Sequence, residues 1–113
     1  MTRRVLLPFV VAMALPLRAA ASDGAVQITL DAPEPCPTRD VLLASAQRRA
    51  PALRVSAGDE ALRVHVRIVR LAGGYAAKVT LESERASEER TLQATTCGEL
   101  VDASGLLIAL FVR

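Results

Sequence analysis

From Leu62 to Glu82 the chain alternates apolar and polar residues along two stretches and interrupts the alternation once, at Ala72-Gly73-Gly74. No other feature restricts the fold as strongly. A repeat of two residues places every second side chain on one face of a strand, whereas a helix needs a repeat of 3.6. Leu62, Val64, Val66 and Ile68 share one face, and Arg63, His65, Arg67 and Val69 share the other. After the glycine turn, Tyr75, Ala77, Val79 and Leu81 alternate with Ala76, Lys78, Thr80 and Glu82. Two such runs around a short glycine turn make an antiparallel hairpin with one apolar side. That side demands cover, and the rest of the chain must supply it.

Two further runs extend the pattern. Val26-Gln27-Ile28-Thr29-Leu30 alternates as a half-buried strand. Arg90 to Thr95 reads as a short strand with Leu92 and Ala94 facing inward, after a charged loop Ser83–Glu89. Two segments have helical spacing. In the first, Thr38 is placed as cap, Asp40 suits the first turn, and Val41, Leu42, Ser45 and Arg49 fall on one face. Pro51 disfavours helix at Ala50, so this helix ends near Arg49. In the second, Thr96-Cys97-Gly98-Glu99 has the spacing of a capping box. Leu100, Val101, Ser104, Leu107, Ile108 and Phe111 then repeat on one side, and Gly105 can admit a close backbone. The order β-α-β-β-β-α predicts an α+β two-layer sandwich: a mainly antiparallel four-stranded sheet with two helices on one face.

The N-terminus has a different character. Thr2-Arg3-Arg4 is basic, Val5 to Leu17 is apolar, and Ala19-Ala20-Ala21 offers small residues to a peptidase. This is the layout of a secretory signal peptide over residues 1–21, leaving residues 22–113 as a single small α+β domain. Pro8 and Pro16 interrupt the apolar run, which is also short of the ~20 residues that span a bilayer. Arg3-Arg4 leaves Sec and twin-arginine export both open. The expected location is the periplasm, the outer-envelope surface or the extracellular space, with no transmembrane segment in the mature protein. The whole chain carries a net charge of +2. Arg3, Arg4 and Arg18 leave with the signal and no acid does, so the mature part falls to −1. A general polyanion binder is not indicated, and without an aromatic stacking platform neither is a nucleic-acid partner.

A domain of this size builds only a marginal core. With no Trp and one Tyr, its core must be aliphatic. A covalent clip would help. Cys36 precedes the first helix and Cys97 opens the second. A right-handed crossover from the first strand would make it parallel to the hairpin's first strand, so that both helices start at one end of the sheet. The two cysteines can meet there, and in an oxidising compartment an even count reads as a disulfide. The alternatives are a reactive pair, since helix N-termini activate thiols, and cysteines that are unpaired or bonded between molecules. There is no C-x-x-C, and two cysteines with one histidine fall short of a zinc site.

His65 is the only histidine. It lies between Arg63 and Arg67, with Lys78 expected across the ladder, and these four residues form the candidate docking face. The bland reading is a solvated sheet surface. A catalytic base would need a nucleophile or an orienting acid beside it; Glu82 and Thr80 are the neighbours the pattern offers. No phosphate loop, nucleophile elbow or helical metal motif occurs. No catalytic, cofactor-binding or metal-binding residue is assigned.

"CPTRDVLLASAQRRAP" ahead of a hairpin and "RTLQATTCGELVDASGLLIAL" after it resemble the uncharacterised exported Cys-Pro…Cys α+β module of myxobacteria and related high-GC bacteria. The resemblance covers most of residues 22–113. It implies an envelope or secreted protein and no activity, cofactor or catalytic residue. Members often continue into a linker or a further β-rich domain. The leading expectation is therefore a non-catalytic exported module that binds an envelope protein or glycan. The alternatives are a small hydrolase or thiol-redox protein, and the truncated N-terminal module of a larger envelope protein.

Overall fold

A computed structural model describes residues 24–56 and 62–112. The signal-peptide assignment to residues 1–21 lies outside these residues. Five strands and two helices follow in the order β1 (Ala25–Asp31), α1 (Arg39–Arg49), β2 (Arg54–Val55), β3 (Leu62–Leu71), β4 (Gly74–Glu82), β5 (Ser87–Ala94) and α2 (Cys97–Val112). The fold is α+β in two layers, but the sheet is mixed and has five strands, in the order β2-β1-β3-β4-β5. β1 runs parallel to both β2 and β3, while β3, β4 and β5 form an antiparallel meander.

The extra strand shows why sequence missed it. β2 has two residues, both exposed, so no alternation can mark it. Backbone bonds define it: the amide of Arg54 donates to Gly24 O at 2.9 Å and that of Ser56 to Val26 O at 2.7 Å. Leu53, immediately before it, anchors the segment in the core at 2% exposure. Gly24, with φ +80°, lies beneath it; a Cβ there would meet Ala52 O at 2.7 Å. β5 also begins earlier than its sequence suggests. Ser83 to Ala86 forms the turn, and Ser87-Glu88-Glu89, read as loop, already pairs with β4. A charged edge strand resembles a solvated loop in composition.

The hairpin is as its alternation requires. Val64, Val66 and Ile68 of β3 and Ala77, Val79 and Leu81 of β4 are all buried, and their neighbours point to the other face. Val26 and Ile28 of β1 continue the apolar layer, and Leu42, Ala46, Leu100, Val101 and Ile108 cover it from the helices. Each large aliphatic side chain buried this way contributes about 1.5–3 kcal/mol.

Both helices begin at the same end of the sheet, where Cys36 and Cys97 form a disulfide with a Cα–Cα distance of 5.4 Å. Arg70 steadies the loop beside it: its guanidinium donates to Glu34 O at 3.0 Å and lies 5.8 Å from the centre of the Tyr75 ring. α1 stops at Arg49, ahead of Pro51. Thr38 occupies its cap position in extended conformation, yet its side chain makes no cap bond; its carbonyl alone receives the amides of Val41 and Leu42. At α2 half of the capping box forms. Glu99 N donates to Thr96 Oγ1 at 3.1 Å, while the Glu99 carboxylate takes the hydroxyl of Thr95 at 3.1 Å.

α2 is rotated from the stripe its large residues suggest. Leu100, Val101, Ser104 and Ile108 are buried, but so are Gly105 and Ala109, while Leu107 is half-buried and Phe111 is 40% exposed. The cause is α1, which crosses at Gly105. A Cβ there would approach Ser45 Cβ at 2.7 Å and Ala46 N at 3.0 Å. Small residues mark the helix contact, and Leu106, Leu110 and Phe111 are turned outward.

Candidate docking face

All helical cover lies on one side, so the other face of the sheet carries its side chains in the open. β1, β3, β4 and β5 present three polar rows there, set by the strand register. Gln27, Arg63, Glu82 and Ser87 form the first. Thr29, His65, Thr80 and Glu89 form the second, and Asp31, Arg67, Lys78 and Thr91 the third. Arg63, His65, Arg67 and Lys78 are thus brought together on one exposed surface, as the alternation predicts.

Although Arg63, Arg67 and Lys78 are all cationic, they do not make a cationic patch. Arg63 Nε lies 3.6 Å from the Glu82 carboxylate, Arg67 Nε 3.9 Å from Asp31, and Lys78 Nζ 3.7 Å from Glu89. Arg67 and Lys78 oppose each other directly across the ladder, a costly arrangement for like charges. Asp31 and Glu89 relieve it from either side. The face is a charge-balanced checkerboard. Exposed pairs at these distances add little stability, about 0–1 kcal/mol each.

His65 sits at the centre of this pattern. Its Nδ1 lies 2.6 Å from Thr29 Oγ1, and the same hydroxyl is 3.4 Å from the carbonyl of Val64. The threonine can serve either form of the ring. It donates to Nδ1 when that nitrogen is bare. It accepts from Nδ1–H when that nitrogen is protonated, and then turns its own proton to Val64 O. Gln27, Thr29, Arg63, Val64, His65, Thr80 and Glu82 line a shallow open depression of about 360 Å³ around the ring. Hydrolytic chemistry would want an orienting carboxylate at His65; the ring's bonded neighbour is a hydroxyl, and Glu82 is engaged by Arg63.

Both sulfurs are committed to the Cys36–Cys97 bond, and Cys97 is 8% exposed. Among the described residues no three His, Cys, Asp or Glu side chains gather as metal ligands do. No described helix is long and apolar enough to cross a membrane.

One polar cluster escaped the sequence reading. Asp102 of α2 accepts from Ser45 Oγ at 2.7 Å, Arg48 Nη2 at 3.0 Å and Arg49 Nη2 at 3.1 Å, all from α1. Arg49 Nη1 also donates to Ser45 Oγ at 2.9 Å. The bonds from Arg49 and Ser45, aided by the charges of both arginines, lower the Asp102 pKa to about 2. Ser45, 2% exposed, has its buried hydroxyl satisfied by this carboxylate. The cluster clasps the helices above the Gly105 crossing. The available signal was Ser45 beside Leu42 on the stripe of the first helix and Asp102 next to Val101 in the second, each wanting a partner.

No protein-family model, curated protein or solved structure matches the chain, so the reading of this face rests on its own geometry.

Proposed function

We propose that the chain is an exported, non-catalytic envelope or secreted module that binds another envelope component through the open face of its sheet. The observation that carries this is the asymmetry of the two layers. Both helices, the core and the disulfide lie on one side. The other side exposes three rows of paired charges and hydroxyls, with one shallow depression around His65 and another beside Arg67 and Lys78. A disulfide within a small aliphatic core supports an oxidising compartment, in keeping with the signal-like stretch at residues 1–21 and with the resemblance to exported Cys-Pro…Cys modules. The partner is a protein or glycan with a polar, mixed-charge surface. Arg63–Glu82 and the Thr29–His65 pair are the groups it would contact first.

The test is replacement of Arg63, His65 and Arg67 together by Ser, followed by binding to intact envelopes of the host that makes the protein. The triple variant should lose saturable binding that the wild type shows. It should keep its melting temperature, because exposed substitutions cost within about 0.5 kcal/mol each. Undiminished binding by a folded triple variant would remove the open face from the function.

A further inference from the structure

β5 is the outermost strand on its side of the sheet, and among the described residues its outer edge pairs with nothing. It is eight residues long and pairs with β4 in unbroken register from Ser87 to Ala94. It contains no proline. Long regular edges of this kind are normally blunted, and the opposite edge, β2, is only two residues. The charges on β5 are Glu88, Glu89 and Arg90. Glu88 and Arg90 occupy the helix side, opposite Leu81 and Val79, and form an ion pair with each other. A gatekeeping charge repels a copy of itself. An acid and a base two residues apart are instead complementary to a copy of themselves in an antiparallel strand.

A second observation lies above the same edge. α1 covers β1 and α2 covers β4 and β5, so the flank of α2 turned away from α1 overlooks the β5 edge. Leu107 and Phe111 are on that flank, roughly 200° and 240° around the helix from Gly105 at about 100° per residue. Phe111 is 40% exposed and Leu110, beside it, 52%. An amphipathic helix on a finished domain shows polar residues outward; this one shows leucine and phenylalanine.

We propose that β5 is a dimer edge: two copies pair their β5 strands antiparallel about a two-fold axis at Glu89, giving one ten-stranded sheet. The axis is perpendicular to the sheet, so both helical layers fall on the same side and opposed residues share a face. Glu88 then faces Arg90 of the second copy, and Arg90 faces its Glu88. Glu89 faces its own copy, each tempered by the Lys78 that lies 3.7 Å from it. α2 runs back over β5 from Cys97. At ~1.5 Å per helical residue and ~3.3 Å per strand residue, Leu107 stands near the level of Glu89. With strands ~4.8 Å apart and α2 above the β4–β5 gap, the two α2 helices come to lie roughly 10 Å apart, the ordinary spacing of packed helices. Leu107, Leu110 and Phe111 of one copy then meet the same residues of the other. The open faces stay uncovered and join into one surface, so this interface is independent of the docking reading.

The experiment is sedimentation equilibrium of the purified protein over a range of concentrations, with two charge reversals. Wild type should dimerise reversibly. Glu88→Arg places Arg opposite Arg at both symmetry-related contacts, and Arg90→Glu places Glu opposite Glu; each alone should dimerise at least about tenfold more weakly. Mixing the two variants pairs Arg with Glu at both contacts and should restore wild-type affinity in the mixed dimer. Leu110→Lys should weaken wild-type self-association while leaving the circular dichroism spectrum unchanged. A wild-type monomer at all concentrations overturns the proposal. So does a dimer indifferent to both reversals, and so does a mixture that associates no better than its components.

Discussion

Breaking the Cys36–Cys97 bond should lower stability more than any single surface change. The two residues are 61 positions apart, so the bond closes most of the chain between the first loop and the last helix. In the chain-entropy account a loop of that length restricts the unfolded chain by roughly 4 kcal/mol at room temperature. A domain of this size holds only about 5–15 kcal/mol in total. At about 4–8 °C per kcal/mol, the melting temperature should fall by roughly 20 °C on reduction. Reduction is the cleaner perturbation because both sulfurs stay in place. Cys97 is 8% exposed and packs with the core, so its replacement would also change packing. The assay is thermal unfolding by circular dichroism, with and without a strong reductant, beside the Cys36→Ala/Cys97→Ala variant in both conditions. Wild type should respond to reductant and the double variant should not. The reduced wild type and the double variant should melt close together, the variant slightly lower. If oxidised and reduced wild type melt within about 5 °C of each other, the bond is not what holds the helical layer to the sheet.

Two further outcomes follow from the structure and one from the sequence. Asp102 has its pKa lowered from 3.8 to about 2 in the folded chain, so its ionisation stabilises the fold fully above pH 3.8 and progressively less as pH falls through about 2; urea midpoints measured from pH 5 to pH 2 should therefore converge between wild type and Asp102→Asn as the acid is reached, and parallel curves would contradict the clasp. Gly105→Ala should destabilise despite the better helix propensity of alanine, because the added carbon meets Ser45 and the Ala46 amide; a rise of about 1 kcal/mol in unfolding free energy, the gain expected of an unobstructed site, would show that the helices can move apart freely. N-terminal sequencing of the exported protein should begin within a few residues of Ser22, and an intact Met1 in the membrane fraction would restore an anchor.

The parts of this fold that sequence discloses are those with a repeat. The Leu62–Glu82 hairpin alternates along Leu62–Val69 and Tyr75–Glu82 and has its inner face where the pattern puts it. β2 is too short to have a repeat and exists through two backbone bonds to Gly24 and Val26. Leu106 to Val112 contains no polar residue, so nothing in it distinguishes a buried side from an exposed one. The rotation of α2 is decided by the α1 contact at Gly105, which is a tertiary fact. The open face was legible in its membership and not in its charge. The turn takes two residues, Ala72-Gly73, where the glycine pair suggests three, and it is this shorter turn that sets Leu71 opposite Gly74, Arg63 against Glu82 and Arg67 against Lys78. The remaining pairs, Arg67 with Asp31 and Lys78 with Glu89, depend on β1 and β5 lying on either side of the hairpin. That is topology, which an alternation pattern does not contain. Ser45 and Asp102 meet for the same reason, across 57 positions of sequence.

The division of the molecule into a working face and a supporting layer is tested most directly by photo-crosslinking in the native envelope. A photoreactive residue is placed at Thr80, in the depression of the open face, or at Ala44, exposed on the outer side of α1. The probe at Thr80 should yield a discrete adduct of higher mass that the Arg63, His65 and Arg67 replacements abolish, and the probe at Ala44 should yield none. Adducts from Ala44 with none from Thr80 would place the function on the helices and contradict the account.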